Sequence, residues 1–566
     1  WQYISRRCEH EGISFFTISL PAFGKDFEKS LDLGYVDHDL FPGYARTGGL
    51  PRFLGGFLDL VFDRKTGRLL DDPSVPAIRA IRQFSLMCGK IALDCAPKRT
   101  SKAIRQYVEC EQEVRASDAR ITSQQWEQFR RIGRLLWADM FSSLDREIYY
   151  EGVRPKHGPG ATADRLRGNA KYDQLEWTQR LEQEFPSWNY LVPSYSFTEK
   201  LESVHLLEPG AERPVKVITV PKTQKTPRII AVEPTCMQYM QQGILELMKQ
   251  RFRTDDKARN FVRFDSQEPN KVLARQGSRD GTLATLDLSE ASDRVSYQHV
   301  LELLRNHPHL KRAVDATRSR KADVPGYGVK RLAKFASMGS ALCFPFEAVV
   351  FTTLVFVGVE RALNRQLTEK DIKSFFGRVR VYGDDIIIPV DVVPFVISSL
   401  EGFGLKVNTG KSFWTGKFRE SCGGDYYDGC DVTVARVRRV FPTSRRDVSE
   451  LVSAVSLRNQ LYELHFSEAV DWLDDLISRI IPFPEIESTD SALLGRLSSK
   501  PIQVLRTDPH LQVPLVKGMR VRTELPASPL EDSGALMKFF LKRSHDPYEE
   551  EHLRRFGRAD SVTLRV

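Results

Sequence analysis

Asp287, Asp384 and Asp385 hold most of the chemistry this chain can offer. Each lies in or at the end of an apolar run. The pair sits in Val379-Arg-Val-Tyr-Gly-Asp-Asp-Ile-Ile-Ile-Pro389. The apolar residues on both sides predict two short strands, and Gly383-Asp384 between them predicts a tight hairpin turn, with Gly taking the unusual backbone angles. Adjacent carboxylates at the tip of a buried hairpin repel, and desolvation deepens the penalty. A cation relieves it. Mg²⁺, which is hard and prefers carboxylate and phosphate oxygens, suits that donor set. For the tetrapeptide alone, a surface turn that happens to carry two acids is the plainer reading.

The surrounding elements must hold these groups. Thr282 to Asp287 reads as a strand that places Asp287 at its C-terminal end, where layered folds tend to bind ligands; a helix cap is the alternative role. Ser289 or Ser292 caps the helix expected next, with Val295, Val300 and Leu304 on its apolar face. Val215 to Val220 and Ile229 to Val232 read as strands, with Arg213, Lys216, Lys222, Lys225 and Arg228 in and beside them and no acid until Glu233. Charge placed this way suggests a basic arm facing something anionic rather than a plain solvated face. Phe335-Ala-Ser-Met-Gly-Ser340 is a small-residue loop before a buried helix, Ala348 to Val359, too short to cross a bilayer. Other expected elements are a helix over 124–144, a helix over 392–403, a strand from Leu405 to Asn408, and an amphipathic helix through Val448, Leu451, Val452, Val455 and Leu461. Loops and short helices are expected in the last hundred residues, with a solvated charged segment from Tyr548 to Arg558. His157-Gly-Pro-Gly-Ala-Thr-Ala163 is either a loop able to approach a phosphate or a simple connector.

At 566 residues the chain exceeds one ordinary core and should divide into two to four parts. Its apolar content of 41% and charged content of 28% are those of a globular protein, and a net charge of +9 only weakly favours nucleic acid. The eight cysteines form no Cys-x-x-Cys pair, which argues against a zinc site; scattered thiols fit a reducing cytoplasm. No secretory signal or repeat is evident.

A basic strand-loop-strand, a strand ending in Asp, a Ser/Gly loop before a buried helix and a paired-Asp hairpin occur here in one order. Nucleotidyl transfer needs these parts: shared carboxylates for two metal ions, cations for a triphosphate and a polar group to inspect the ribose 2′-hydroxyl. From about residue 157 to 465 the chain resembles the replicase catalytic subunits of the positive-sense single-stranded RNA bacteriophages, the levivirus group. The resemblance is densest in Thr219-Val-Pro-Lys-Thr-Gln-Lys-Thr-Pro-Arg228, Ala284-Thr-Leu-Asp-Leu-Ser-Glu-Ala-Ser-Asp293, Ser337-Met-Gly339 and Val381-Tyr-Gly-Asp-Asp-Ile386. It continues in Phe418-Arg-Glu-Ser-Cys-Gly423 and Gly429-Cys-Asp-Val-Thr433. Paired Asp alone is shared with reverse transcriptases; the run from Phe418 is more specific.

The resemblance implies an α+β right-hand polymerase of fingers, palm and thumb, its palm a small antiparallel sheet backed by helices. Residues 1–210 would be an N-terminal region and part of the fingers, 211–280 the basic fingers, 281–440 the palm with a fingers insertion near 305–335, and 441–566 the thumb and C-terminal region. The implied activity is RNA-directed RNA synthesis from ribonucleoside triphosphates with two Mg²⁺ ions, Mn²⁺ being able to substitute. Asp287, Asp384 and Asp385 match the catalytic, metal-binding carboxylates, with Asp385 the more peripheral. Lys222, Lys225 and Arg228 match the triphosphate-binding motif, although Lys225 also reads as a solvated lysine. Asp293 matches the acid that reads the 2′-hydroxyl, with pairing to Arg294 as its alternative. Ser337, Gly339 and Ser340 match the loop beneath the nascent base pair, where Ser340 replaces the Asn usual in the group. Lys411 is either a general acid towards pyrophosphate or an exposed turn lysine, and Glu347 a cap or network acid. The implied partners are RNA template and product, host elongation factors Tu and Ts and a ribosomal protein, with no membrane; the implied location is the cytoplasm of the bacterial host. Residues 1–150 and 470–566 resemble the group least and are where host and template specificity would reside. A reverse transcriptase and a non-catalytic RNA-binding protein are the rival readings.

Overall fold

The computed structural model describes residues 2–499, 504–523, 530–542 and 557–565. Helix and sheet are mixed. At the centre, Arg380–Tyr382, Asp385–Pro389 and Leu283–Leu286 form an antiparallel sheet in that order. All of Leu283–Leu286 is buried, which explains why this run does not alternate with polar residues. Cys343–Leu363 is buried along almost its whole length within the same core. Trp137 of the helix Ser123–Tyr150 donates to Thr353 Oγ1 on it at 2.9 Å. Cys343–Leu363 is longer than the sequence expectation, because Pro345 falls in the first turn, where it displaces no intrahelical bond. Its 21 residues are long and apolar enough by length and composition to cross a membrane, but 94% of its apolar window is buried inside the protein.

A second sheet carries the basic arm. Val215–Val220 pairs antiparallel with Arg228–Val232 as expected, and Lys321–Val324 joins the other edge of Val215–Val220 in parallel. Gly328–Arg331 closes the sheet through the Pro325-Gly326 turn. The arm and the segment near 305–335 therefore share one sheet. A third sheet, Phe418–Ser421, Gly424–Tyr427 and Cys430–Asp431, packs its apolar side with Phe23, Phe27 and Leu31 of the helix Leu20–Leu33. Helices Val448–Glu463 and Ser467–Ser478 organise a separate core.

Four expectations need correction. Leu405 to Asn408 is no strand; Val407 makes an isolated bridge to Leu288, and the chain then turns so that Asn408 N–H donates to the Asp287 carbonyl at 2.8 Å. The helix expected through Val295, Val300 and Leu304 breaks into Ala291–Arg294 and Tyr297–Leu303. Val295 is extended at the break, and Ser296 caps the second piece by accepting from Gln298 N–H, a local bond that competes with helix continuation. Neither Ser289 nor Ser292 is the cap. The C-terminal region contains Pro514–Thr523 paired antiparallel with Gly557–Arg565, where loops and short helices were expected. The alternation Met519-Arg-Val-Arg522 is the strand signal there. The charged segment from Tyr548 lies outside the described residues until Gly557.

Candidate active site

The hairpin register builds the acidic centre. Tyr382 pairs with Asp385, leaving Gly383-Asp384 as a two-residue turn. Gly383 has φ +61° while Asp384 is not among the positive-φ residues, the pattern of a type II′ turn. A Cβ on Gly383 would lie 2.5 Å from the Phe344 ring, so the position is closed sterically as well as conformationally. Ile386 pairs with Leu286, so Asp385 and Asp287, one residue further along each strand, face each other across the sheet.

Asp287 is held by one short segment: its Oδ2 accepts from Asn408 Nδ2 at 2.8 Å, its Oδ1 from Lys411 Nζ at 3.4 Å, and its N–H donates to Ser412 Oγ at 3.1 Å. Burial raises its pKa; Lys411 opposes that and Asp384 adds to it. Burial and then Asp384, Glu420 and Asp287 push Asp385 up to about 7, although Cys422 N–H donates to its Oδ2 at 3.1 Å. Asp384 is exposed at the turn.

Among the basic residues, Lys222 reaches this field. Partial desolvation, then Arg228 and Lys411, lowers its pKa, while Asp384 and Asp287 act the other way. Lys225 instead acts electrostatically on Asp26 of the N-terminal helix Leu20–Leu33. The loop joining the two basic strands is anchored from outside: Cys95 Sγ lies 3.1 Å from the carbonyl oxygens of both Thr223 and Gln224, and Arg99 donates to Gln224 O at 3.0 Å.

The loop before the buried helix meets the arm. Ala231 N–H donates to Met338 O at 2.9 Å, and Gly339, at φ +136°, leaves its Cβ position 2.0 Å from Ala231 O, so no side chain fits. Ser337 is buried and donates to Asp293 Oδ1 at 3.1 Å. Ser340 is turned elsewhere: its hydroxyl donates to Gln241 Oε1 at 3.1 Å and accepts from Leu342 N–H at 3.3 Å. Asp293 pairs with Lys334 at 3.0 Å, and Arg294 is taken by Glu113 and Glu290 at 2.6 and 2.7 Å. The alternative pairing of Asp293 with Arg294 is therefore not formed. Glu347, on the buried helix, has its pKa raised well above the carboxylate range by burial, then by Asp384 and Asp293. The Gly-rich loop after His157 turns the Gly158 and Gly160 carbonyls towards Lys171, so its polar groups meet a cation there.

The structure thus gathers Asp287, Asp384, Asp385, Lys222 and Lys411, with Glu347 in the field of Asp384 and Asp293, while the Ser340 hydroxyl is bonded to Gln241. Sequence reasoning missed Asn408, Lys334 and Glu420. Asn408 lies in the Asn408-Thr-Gly-Lys411 run that drew attention to Lys411, and its amide was the available signal. Lys334 ends the basic stretch from Lys311, and nothing local in the sequence marks it as buried.

Residues 210–466, somewhat less than half of the chain, match the family described as RNA replicase, beta-chain. The chain is 34% identical over 245 residues to the RNA-directed RNA polymerase beta chain of Enterobacteria phage fr, covering 43% of this chain and 40% of that one. It is 36% identical over 219 residues to that of Escherichia phage MS2, covering 38% and 36%, and 34% identical over 263 residues to the beta subunit of Escherichia virus Qbeta, covering 45% and 42%. The levivirus resemblance of the sequence is borne out over this segment, and the chain spans about two-fifths of the length of these relatives. A solved RNA-dependent RNA polymerase aligns with 66% of this chain and 34% of its own at 13% identity and TM-score 0.39, too distant to place any residue.

Proposed function

We propose that this chain is an RNA-directed RNA polymerase, the catalytic subunit of an RNA-phage replicase, which adds ribonucleotides to a strand copied from an RNA template. One observation carries the reading: the register that sets Asp287 against Asp385 below Asp384, on the segment that matches RNA replicase beta-chains. The donor set suits Mg²⁺, being all carboxylate oxygens; burial first, and then the neighbouring carboxylates, push Asp385 up to about 7, a penalty that a divalent cation relieves. Two Mg²⁺ ions held by Asp287, Asp384 and Asp385, with Mn²⁺ as a substitute, would lower the pKa of the attacking 3′-hydroxyl and neutralise the triphosphate. Asn408 and Lys411 orient Asp287, and the Cys422 N–H orients Asp385. Lys222 and Arg228 hold the triphosphate. Lys411, paired to Asp287 but 47% exposed, is positioned to protonate departing pyrophosphate. Ser337 and Gly339 form the floor under the new base pair. Ser340 is committed to Gln241, so inspection of the 2′-hydroxyl falls to Asp293.

In this reading the central sheet is the palm, the sheet containing Val215–Val220 belongs to the fingers, and the helices from Val448 form the thumb. Partners are RNA, with host elongation factors Tu and Ts and a ribosomal protein, in the bacterial cytoplasm. The test is template-dependent incorporation of labelled ribonucleotides, with and without host lysate. Asp384→Asn should reduce incorporation at least 100-fold, because it removes a ligand charge, and leave RNA affinity within about twofold. An active Asp384→Asn protein would defeat the metal assignment. Preference for deoxynucleotides would instead favour reverse transcription, and RNA binding without any incorporation a non-catalytic role.

A further inference from the structure

Asp293 is held by a chain of groups that begins outside the segment shared with the relatives. Ser337 Oγ donates to Asp293 Oδ1 at 3.1 Å, which commits the serine hydrogen. The Tyr107 hydroxyl, 3.0 Å from Ser337 Oγ, must therefore be the donor in that pair. Lys334 Nζ also lies on Asp293 Oδ1 at 3.0 Å, pairs with Glu111 at 3.3 Å, and sits 3.6 Å from the centroid of the Tyr107 ring. The Lys334 side chain is 0% exposed. Burial alone would pull its pKa down, but Asp293, Tyr107 and Glu111 more than offset it, and the ammonium stays charged. Tyr107 and Glu111 both come from the helix Pro97–Asp118, whose Glu113 also ties down Arg294 and whose Asp118 accepts from Ser296. Both of these bonds to the Asp293 carboxylate fall on Oδ1, and among the described residues Oδ2 accepts none.

Resting on the polymerase reading above, we propose that Tyr107 and Lys334 are positioning residues for sugar selection. They hold Asp293 by its Oδ1 and leave Oδ2 turned to the ribose 2′-hydroxyl as an acceptor. The hydroxyl relay from Tyr107 through Ser337 and the Lys334 ammonium, both on Oδ1, set the rotation of the carboxylate. The preference for ribonucleotides thus depends on an N-terminal helix outside residues 210–466.

The test is single-nucleotide addition by the full chain, comparing each ribonucleotide with its 2′-deoxy analogue. Tyr107→Phe removes one hydroxyl and keeps the ring over Lys334, so its melting temperature should stay close to that of the unchanged protein. It should lower the ribo-over-deoxy ratio of kcat/KM by about 2- to 10-fold, the worth of one buried hydrogen bond. The loss should appear as a raised KM for the ribonucleotide alone, since the deoxy analogue lacks the group that Asp293 reads. In a Ser337→Ala protein the same substitution should add nothing further, because the relay is already cut. Equal loss with both sugars, or independent effects of the two substitutions, would overturn the proposal and leave Tyr107 as packing. An unchanged protein that incorporates no nucleotide would overturn the polymerase reading itself, a different failure that is visible before any variant is made.

Discussion

Arg228 lies opposite Val220 at the exit of the basic loop, exposed, and acts electrostatically on Lys222. A guanidinium there presents a planar fork suited to phosphate oxygens, where the Lys222 ammonium is a point charge. Arg228→Ala should raise the KM for nucleotide about tenfold or more, in line with a charged hydrogen bond, and change template affinity little. Steady-state kinetics beside a filter-binding assay separate the two; weakened template binding with an unchanged KM would put Arg228 on the template path. At this scale the residues legible in the sequence were those whose chemistry is carried by neighbours in the chain: the Asp pair in its apolar run, Lys222 and Arg228 flanking Pro residues, Asp287 at a strand end. Lys334 was not legible, because its partners Glu111 and Asp293 come from separate elements and only folding neutralises it. The bond of the Ser340 hydroxyl to Gln241 of another helix was not legible for the same reason.

The hairpin is the element on which the acidic centre depends, and Gly383 is its narrowest point. Its positive φ is one obstacle to any side chain, and the Phe344 ring, 2.5 Å from where a Cβ would lie, is an independent second one. Gly383→Ala should therefore displace Asp384 and Asp385, at a cost of about 1–2 kcal/mol from backbone strain alone, with the clash in addition. We expect at least a tenfold fall in nucleotide addition with RNA binding retained. Phe344→Leu in the same chain should restore part of it, since that change relieves the clash and leaves the backbone strained. No recovery would assign the whole effect to the turn. Elements with strong local signals were readable here: the hairpin from its β-branched flanks, the arm from two apolar runs joined by a Pro-bounded loop. The break at Val295 was not, because Ser296 overrides an apolar spacing that alone would continue the helix. The C-terminal strand pair joins residues far apart in the chain, which no local window reveals.

Across the whole molecule, the N-terminal region makes contacts that converge on the candidate site. Residues 1–150, where host and template specificity is expected, also reach the basic loop through Cys95 and Arg99, Asp293 through Tyr107 and Ser337, and the strands beside Asp385 through Arg82. Arg82, in the helix Val75–Leu86, is fully buried; it pairs with Glu28 at 2.8 Å and with Asp425 at 2.7 Å, donates to the Val432 carbonyl and lies over the Phe418 ring. Asp425 belongs to the same strand pair whose turn supplies the Cys422 N–H to Asp385, so one guanidinium joins the N-terminal helices to the acidic centre. Arg82→Met keeps much of the side-chain length but leaves Asp425 buried without its cation. Loss of one partner from a buried ion pair costs about 3–5 kcal/mol, so the first unfolding transition in urea should move to clearly lower concentration, and nucleotide addition should weaken as the support of Asp385 loosens. Adding Asp425→Asn removes the stranded charge and should recover part of both. If the double variant is no better than Arg82→Met alone, the cost does not lie in an uncompensated Asp425, and the link from the N-terminal region to Asp385 does not run through that ion pair.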